Sequence, residues 1–447
     1  MSALFGISRF ILLTSFVYCI AGCGVETPAS RKYNRGVDTG TLPASSVSNA
    51  NSQVFKSPRV QSAENPASLP GHLRNGFRYV NDAKYRRDVL ETSLVNHQNG
   101  YAQKRLASYT DDNWGDLKVL NPRFRPVRPE DLGKGTPKPN QSWQRIPLDD
   151  IGWNDHDLLT LGEAMFTGYP AQLAHSMSHV ISNVDNPKKY GLWQTEKSVG
   201  GLIWVELPGG VFPAMTCATC HANIDAQGKL SYGLPNHRID IGKAQDGYSR
   251  RMTTRSMWGP GMADISSDGV DNPISIADLR AVRFQNHLHR TANIKNSPEA
   301  LAVRLETGLI MVARRSVRPP RIATFALAHF VTQLGTSLTP IPNNDGHDVF
   351  NKHCASCHQG EALSGPPVPI DKVRSNRDIA TSASRTTGFM QNTSLRGVSD
   401  RHNLLCNGKI HSFEGLLQSD RSEHGHYFGL NLPDNEKKKL IQFLQQL

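Results

Sequence analysis

Two five-residue stretches constrain this chain more than any other feature of its sequence. They read Cys-Ala-Thr-Cys-His at residues 217–221 and Cys-Ala-Ser-Cys-His at residues 354–358. Both have the pattern C-x-x-C-H, which is the attachment signature of c-type haem. The two thiols can form thioethers with the vinyl groups of one haem, and the histidine that follows can bind its iron. The predicted attachment residues are Cys217, Cys220, Cys354 and Cys357, and the predicted proximal iron ligands are His221 and His358.

Zinc sites and redox dithiols also use closely spaced cysteines. A zinc site needs four ligands in paired sets, and a thioredoxin-like dithiol needs a βαβ context. Two copies of C-x-x-C-H in one exported chain favour two covalent haems c over both alternatives. The chain has 37 glycines and 27 prolines, and a haem supplies apolar core to such a loop-rich chain. We therefore expect a mainly α, loop-rich fold with two c-type cytochrome domains and a small β-hairpin before the first motif.

Residues 1–22 have the features of a secretory signal peptide. Arg9 supplies positive charge, and the apolar run that ends at Ile20 is too short for a stable membrane span. Residues 20–23, Ile-Ala-Gly-Cys, resemble the lipobox of bacterial lipoproteins, in which the cysteine becomes an acylated N-terminus. We expect lipidation at Cys23, although an ordinary signal peptide with a chance cysteine is the alternative. Gly24 in place of aspartate indicates the periplasmic side of the outer membrane of a Gram-negative bacterium.

The net charge of the chain is +11, but its lysines and arginines are scattered. Nothing in their distribution resembles a nucleic-acid-binding arm, so we expect no nucleic-acid partner. The basic surface is either simply solvated, with some arginines on haem propionates, or a docking face for an acidic redox partner. The expected partners are periplasmic redox proteins, and the expected membrane contact is the lipid anchor.

Composition and motif positions divide the chain into five segments. The signal peptide is followed by a stretch rich in Ser, Pro, Ala and Asn that has no apolar period and reads as a disordered tether. A polar, Pro-rich arm comes next, with isolated tryptophans, and we expect it to wrap the first haem domain. The predicted segments are 1–22 (signal peptide), 23–70 (tether), 71–155 (arm), 156–339 (first haem c domain) and 340–447 (second haem c domain, class I-like).

Several helices and one hairpin can be predicted within the two haem segments. In the first segment, we predict helices over 158–166 and 171–184 and a hairpin over 200–211. A further helix is capped by Ser297, and another runs from Pro319-Pro320 to Gly335. In the second, a short helix with Val349 and Phe350 leads into Cys354. A helix that Asp434 caps carries leucines on one face, and we expect these two helices to cross beside the haem.

Four patches of residues 155–447 resemble the bacterial di-haem cytochrome c family, which includes the cytochrome c peroxidases. They are Leu-Gly-Glu-Ala-Met-Phe at 161–166, residues 216–222, the second motif behind its helix, and the tail. The tail, at 393–398 and 404–417, is similar to the family pattern P-S-L-R-G-V, H-D-G, L-E-x-L-L. The resemblance implies electron transfer or peroxide reduction. Cys406 stands where the family places a histidine. About fifty residues separate the patch at 161–166 from the first motif, more than in typical members of the family. Both departures favour a divergent branch of the family.

The sixth iron ligand distinguishes electron transfer from small-molecule chemistry. Met390 is the predicted distal ligand of the second haem, since it is the sole methionine after Cys357 and lies in a polar loop. A core role for Met390 remains open, and His424 and His426 are its rivals. Cys406 either packs as a small apolar residue or acts as a redox-active or ligating thiol. For the first haem the position is open, or is filled by one of His175, His179, His287, His289, Met252, Met257 and Met262.

Two functions follow from these patterns. The first is an electron-transfer cytochrome that is tethered to the membrane and has no catalytic residues of its own. The second is a di-haem peroxidase in which the second haem supplies electrons to an open first haem. A structural or substrate-binding lipoprotein with vestigial haems is the least favoured, because both attachment motifs are intact.

Overall fold

The computed structural model describes residues 66–447 apart from 110–113, 115–116, 226, 251–253, 265–270, 314–315, 336–339 and 424. The predicted signal peptide, Cys23 and nearly all of the tether lie outside the described residues. Within the described ranges, no helix has the length and apolar character needed to cross a membrane.

The α-helices are numbered along the chain. Short 3-10 helices lie between them at Pro66–Ser68, Pro129–Asp131, Thr254–Met257, Leu279–Phe284 and Val398–Asp400. The α-helices are α1 (Gly71–Asn81), α2 (Ala83–Ser93), α3 (Gly100–Ser108), α4 (Asp155–Gly168), α5 (His175–Ile181), α6 (Asn186–Lys189), α7 (Cys217–His221), α8 (Ile241–Ser249), α9 (Pro298–Val312), α10 (Arg321–Gln333), α11 (Asp345–His353), α12 (Ile370–Val373), α13 (Arg377–Thr381), α14 (Phe413–Leu417) and α15 (Asp434–Leu444).

The strands are short and form several small sheets. They are β1 (Lys118–Val119), β2 (Arg123–Pro126), β3 (Gln172–Leu173), β4 (Leu202–Leu207), β5 (Gly210–Met215), β6 (Ala222–Ile224), β7 (Leu230–Tyr232), β8 (Met262–Ala263), β9 (Ile274–Ser275), β10 (His287–Leu288), β11 (Ile294–Lys295), β12 (Val317–Arg318), β13 (Val368–Pro369) and β14 (Phe389–Met390). The fold is therefore mixed α and β, and the prediction of mainly α cytochrome domains was wrong. Strands of two or three residues are too short to show the alternation of apolar and polar residues that identifies a strand, so they could not be predicted from the sequence.

The largest sheet has the strand order β2-β4-β5-β3 and lies directly before the first motif. Its centre is the antiparallel pair β4–β5, in which Leu207 faces Gly210 across a tight turn. Gly209 and Gly210 have φ values of +99° and +137°, which residues with a Cβ rarely adopt. The hairpin predicted over 200–211 is confirmed. Strand β2 comes from the Pro-rich arm and pairs with β4.

We call the residues before 340 the first half of the fold and residues 340–447 the second half. Helices α4 and α10 pack closely at the centre of the first half. A Cβ on Gly162 would lie 2.2 Å from the carbonyl oxygen of Ala326, so only glycine allows this approach. The predicted helix 158–166 is confirmed within α4, and Ser297 caps α9 by accepting a hydrogen bond from the Ala300 amide. The single helix predicted over 171–184 was wrong, because the chain there first pairs with β5 as β3 and then forms the shorter α5.

Helices α1 to α3 lie in the segment predicted as an arm. Helices α1 and α2 pack against α9 and α10, and Arg105 of α3 donates to the Thr307 hydroxyl of α9. The apolar residues of α1 to α3 join the core of the first half instead of forming a separate one. Leu73, Tyr79 and Leu90 are buried together with Leu301 and Phe325. A shared core of this kind ties the arm to the rest of the fold through burial of apolar surface.

In the second half, α11 and α15 cross as the sequence predicted. A Cβ on Gly346 would lie 2.1 Å from the carbonyl oxygen of Lys439, which brings the two helix backbones into contact. Phe350 and Phe443 pack at this crossing with ring centres 5.1 Å apart. Asp434 lies inside the first turn of α15 and Pro433 occupies the cap position, so the predicted cap was misplaced by one residue.

Candidate haem attachment sites

The hairpin β4–β5 directly precedes the first motif, and this motif forms the short helix α7. The hydroxyl of Thr216 donates a hydrogen bond of 2.8 Å to the carbonyl oxygen of Gly201, and that of Thr219 donates to the same oxygen at 3.2 Å. Gly201 has a φ of +64°, and a Cβ there would meet the Thr219 amide nitrogen at 2.8 Å. The turn that carries Cys217 and Cys220 is thus fixed against the start of β4.

His221 at the end of this turn is oriented by the main chain. Its Nδ1 lies 3.0 Å from the carbonyl oxygen of Ala277. Burial lowers the pKa of His221 to about 4, so its imidazole is neutral at physiological pH. With Nδ1 as the donor to Ala277, Nε2 carries the lone pair that a metal ion can bind.

The second motif follows α11 and repeats this arrangement on a different backbone. The amide of His358 donates to the carbonyl oxygen of Cys354 at 3.0 Å, which closes the turn around both thiols. Nδ1 of His358 lies 3.2 Å from the carbonyl oxygen of Leu363. Burial lowers the pKa of His358 to about 4, and this imidazole is also neutral with Nε2 as its basic nitrogen.

These features fit the attachment of haem at the second motif, and they fit it at the first once the disulfide that holds Cys220 in this structure is reduced. Each motif places its two cysteines and its histidine on one turn of chain. Each histidine has the Nδ1 contact to a carbonyl that orients metal-bound imidazoles in proteins and leaves Nε2 for the metal. Burial raises the pKa of Cys217 and of Cys354 to about 11, so both are neutral thiols. The cofactor itself would supply reversible one-electron chemistry at its iron.

Basic side chains lie beside the first motif. Burial raises the pKa of Cys217 and the nearby charge of Arg304 partly opposes this rise, whereas for His221 burial and Arg304 both lower the pKa. Its Nε donates a hydrogen bond of 3.0 Å to Nε2 of His289. Burial, followed by the charges of Arg304, Arg105 and Arg385, holds the pKa of His289 well below its ordinary value. His289 was predicted from the sequence as a candidate ligand, but Arg304 was not, because it lies in the middle of the largely buried helix α9 and no local pattern marks it.

His426 and Met390, two candidates for the distal ligand of the second haem, lie in different surroundings. The ring centre of His426 lies 6.4 Å from that of His358, with an angle of 53° between the ring planes. Met390 is buried in β14, where it pairs with Val368. Its neighbours in a small apolar cluster are Ile274, Ile370, Ile379, Ala380 and Cys406.

The candidates for the distal ligand of the first haem lie in several different helices and strands. His175 packs edge-on against Phe212, and Nε2 of His179 lies 3.0 Å from the Tyr190 hydroxyl. His287 lies in β10. Met262 is buried in β8, whereas Met257 is 82% exposed. Met252 and His424 lie outside the described residues. Among the residues that the structure describes, no aromatic or histidine ring is paired with that of His221.

Cys406 is buried, with the positive charges of Arg290 and Arg385 nearby. The side-chain amide of Asn376 donates a hydrogen bond of 3.4 Å to its Sγ. Burial raises the pKa of this thiol, so it is protonated at physiological pH. These surroundings suit the interpretation that Cys406 packs as a small apolar residue.

A cluster of His72, Asp155 and His329 was not identified from the sequence. Oδ1 of Asp155 lies 2.9 Å from Nε2 of His72 and 3.0 Å from Nε2 of His329. The hydrogen bond from His72 lowers the pKa of Asp155, and burial lowers that of His329. The three groups lie close enough to hold a metal ion, and the same distances suit a hydrogen-bonded network that ties α1, α4 and α10 together.

Comparisons with protein-family models, with curated proteins and with solved structures gave no match for this chain.

Proposed function

We propose that this protein is a di-haem c-type cytochrome that transfers single electrons between periplasmic redox partners. Cys217 and Cys220 hold one haem, and Cys354 and Cys357 hold the other. His221 and His358 are the proximal iron ligands. The observation that carries the proposal is that both motif histidines are neutral and direct Nδ1 to a main-chain carbonyl.

In this proposal the chain binds, orients and tunes the two cofactors. The carbonyl oxygens of Ala277 and Leu363 raise the basicity of the ligand imidazoles and fix their orientation. Cys23 carries the lipid, and the tether lifts the folded part from the periplasmic face of the outer membrane. The net charge of +11 suits acidic redox partners, since complementary charge speeds encounter.

The test is to express the full chain in a host that attaches c-type haem and to determine its mass after denaturation. Wild type should keep two haems, and the variants Cys217→Ser/Cys220→Ser and Cys354→Ser/Cys357→Ser should each keep one. Reduction and reoxidation by small cytochromes should then follow in the wild type. A wild-type chain that matures without covalent haem would overturn the proposal.

A peroxidase is the second candidate, and the position of Arg304 beside the first motif favours it. The positive charge of Arg304 can stabilise the departing oxygen of a bound peroxide, while His289 accepts the Nε hydrogen bond of Arg304 at Nε2 and holds that guanidinium in place. Reduction of one hydrogen peroxide would take two electrons from a reduced cytochrome donor and two protons, and would release two waters. The assay measures peroxide loss with the oxidised and the half-reduced protein. Turnover no faster than that of free haem would exclude this candidate.

A further inference from the structure

The ring centres of His358 and His426 lie 6.4 Å apart, a separation that suits two imidazoles on one metal ion. Bonds from metal ions to imidazole nitrogen are about 2 Å long, so two imidazoles on one ion have ring centres about 6 Å apart. The observed separation is 6.4 Å, and the angle of 53° between the planes shows that the rings are not stacked on each other. His237 and His402, by contrast, stack directly with ring centres 3.9 Å apart.

The loop that carries His426 is built to hold this residue in place. The amide of His426 donates a hydrogen bond of 2.7 Å to the carbonyl oxygen of Val373. Arg421 donates to the carbonyl oxygen of Glu423 at 2.6 Å and to that of His426 at 2.9 Å. The loop is therefore fixed at its backbone on both sides of the imidazole.

Two local features of His426 indicate a functional constraint. Its φ is +50°, a conformation that costs a residue with a Cβ about 1 kcal/mol or more and that is concentrated at functional sites. In addition, its buried Nδ1 has no hydrogen-bond partner among the described residues, so this nitrogen is the one available to a metal ion. Packing alone accounts for neither feature, since a glycine or an apolar residue would fill the position at lower cost.

Met390 does not share these features. It belongs to a short strand whose partner is Val368, and its side chain packs among aliphatic residues. Its burial therefore has the ordinary explanation that a flexible thioether fills a gap in an apolar cluster.

We propose that His426 is the second axial ligand of the haem attached at residues 354–358, so that its iron is bound by two histidines. This assignment rests on the proposed function and replaces Met390 as the distal ligand. Two imidazoles give a lower reduction potential than an imidazole and a thioether. The second haem would then be a low-spin, low-potential centre that is closed to small molecules.

Electron paramagnetic resonance and near-infrared magnetic circular dichroism of the oxidised holo-protein test the assignment. Wild type should show a bis-imidazole low-spin signal and no charge-transfer band from a methionine–iron bond at the second haem. His426→Ala should convert half of the total haem iron to a different coordination state, and added imidazole should restore the low-spin signal. Met390→Leu and His424→Ala should leave the spectra and the potentials unchanged.

The variant Cys217→Ser/Cys220→Ser isolates the second haem and removes overlap from the first. If His426→Ala does not fold, the spectra of Cys217→Ser/Cys220→Ser, in which His426 is intact, still identify the distal ligand of the second haem. A methionine–iron band, or conversion of the iron by Met390→Leu, would overturn the assignment while leaving the proposed function intact. A chain without covalent haem would instead overturn the proposed function, and the ligand assignment with it.

Discussion

Arg401 donates a hydrogen bond of 3.0 Å from Nε to Oδ2 of Asp278, although 123 residues separate them in the chain. Asp278 directly follows Ala277, whose carbonyl oxygen orients His221. Arg401 also donates to the carbonyl oxygens of Ser394 and Arg396, both at 2.8 Å. This ion pair therefore connects the loop behind the first motif with the segment that follows the second.

Asp278→Asn should lower the free energy of unfolding by about 3 kcal/mol, the cost of breaking a buried ion pair. The Asp278 side chain is buried and also accepts from Arg280 at 2.8 Å, so its loss leaves Arg401 without its counter-charge and Arg280 with Asp400 alone. Denaturant unfolding of the holo-protein measures the change. Asp371→Ala is the matched control, because its ion pair with Arg377 is exposed and should contribute less than about 1 kcal/mol.

The pH dependence of unfolding should differ between wild type and Asp278→Asn. Burial raises the pKa of Asp278, but the charges of Arg401 and Arg280 outweigh it, and the pKa lies below its ordinary value of 3.8. A carboxyl whose pKa is lower in the folded state stabilises the fold above its unfolded pKa and loses this contribution as the pH falls through the folded one. The stability difference between the two proteins should be constant near neutrality and shrink below about pH 4. A difference that does not change with pH would contradict this account.

Glu306→Gln should destabilise the protein more than Tyr79→Phe. Glu306 is fully buried and accepts from the Tyr79 hydroxyl at 2.8 Å and from Arg321 Nε at 2.9 Å. The glutamine leaves Arg321 buried without a counter-charge, at about 3 kcal/mol. The phenylalanine removes one hydrogen bond while the ion pair stays intact, at about 1 kcal/mol. Thermal unfolding of the two variants side by side checks the order, and equal losses would refute it.

Gly346→Ala should weaken the crossing of α11 and α15 and cost about 1–3 kcal/mol, because the new methyl group would overlap the backbone of α15. Gly71→Ala is the control, since a Cβ at Gly71 in the first turn of α1 meets nothing within 4 Å. Chemical denaturation followed at the haem absorbance would report on the second half. An unchanged unfolding midpoint for Gly346→Ala would show that the two helices can separate without loss.

Cys23→Ser should release the protein from membranes into the soluble periplasmic fraction, because the acylated cysteine is its proposed anchor. Cys19→Ser is the matched control, since Cys19 lies four residues earlier in the same leader. Fractionation of cells followed by haem staining measures the distribution. If both variants stay with the membrane, the protein is attached by other means.

Short-range patterns in the sequence identified the elements that depend on neighbouring residues. The two C-x-x-C-H motifs, the hairpin with its glycine turn, the helix capped by Ser297, and the helices that cross at Gly346 are all encoded within a few positions. Capping, turn conformation and apolar spacing act over one or two turns of chain, so these features can be read without knowing the fold.

Tertiary structure alone decided which distant groups meet. Spacing from His358 favoured Met390, but the packing of the loop on Val373 and Arg421 brings His426 to that imidazole. The pairing of Asp278 with Arg401 and the two-residue strands that make the fold mixed α and β likewise join segments far apart in the chain. Contacts of this kind arise from the burial and desolvation of whole segments, and no local residue pattern records them. The sequence by itself determined the positions of the two C-x-x-C-H motifs, and the tertiary structure determined what surrounds His221 and His358.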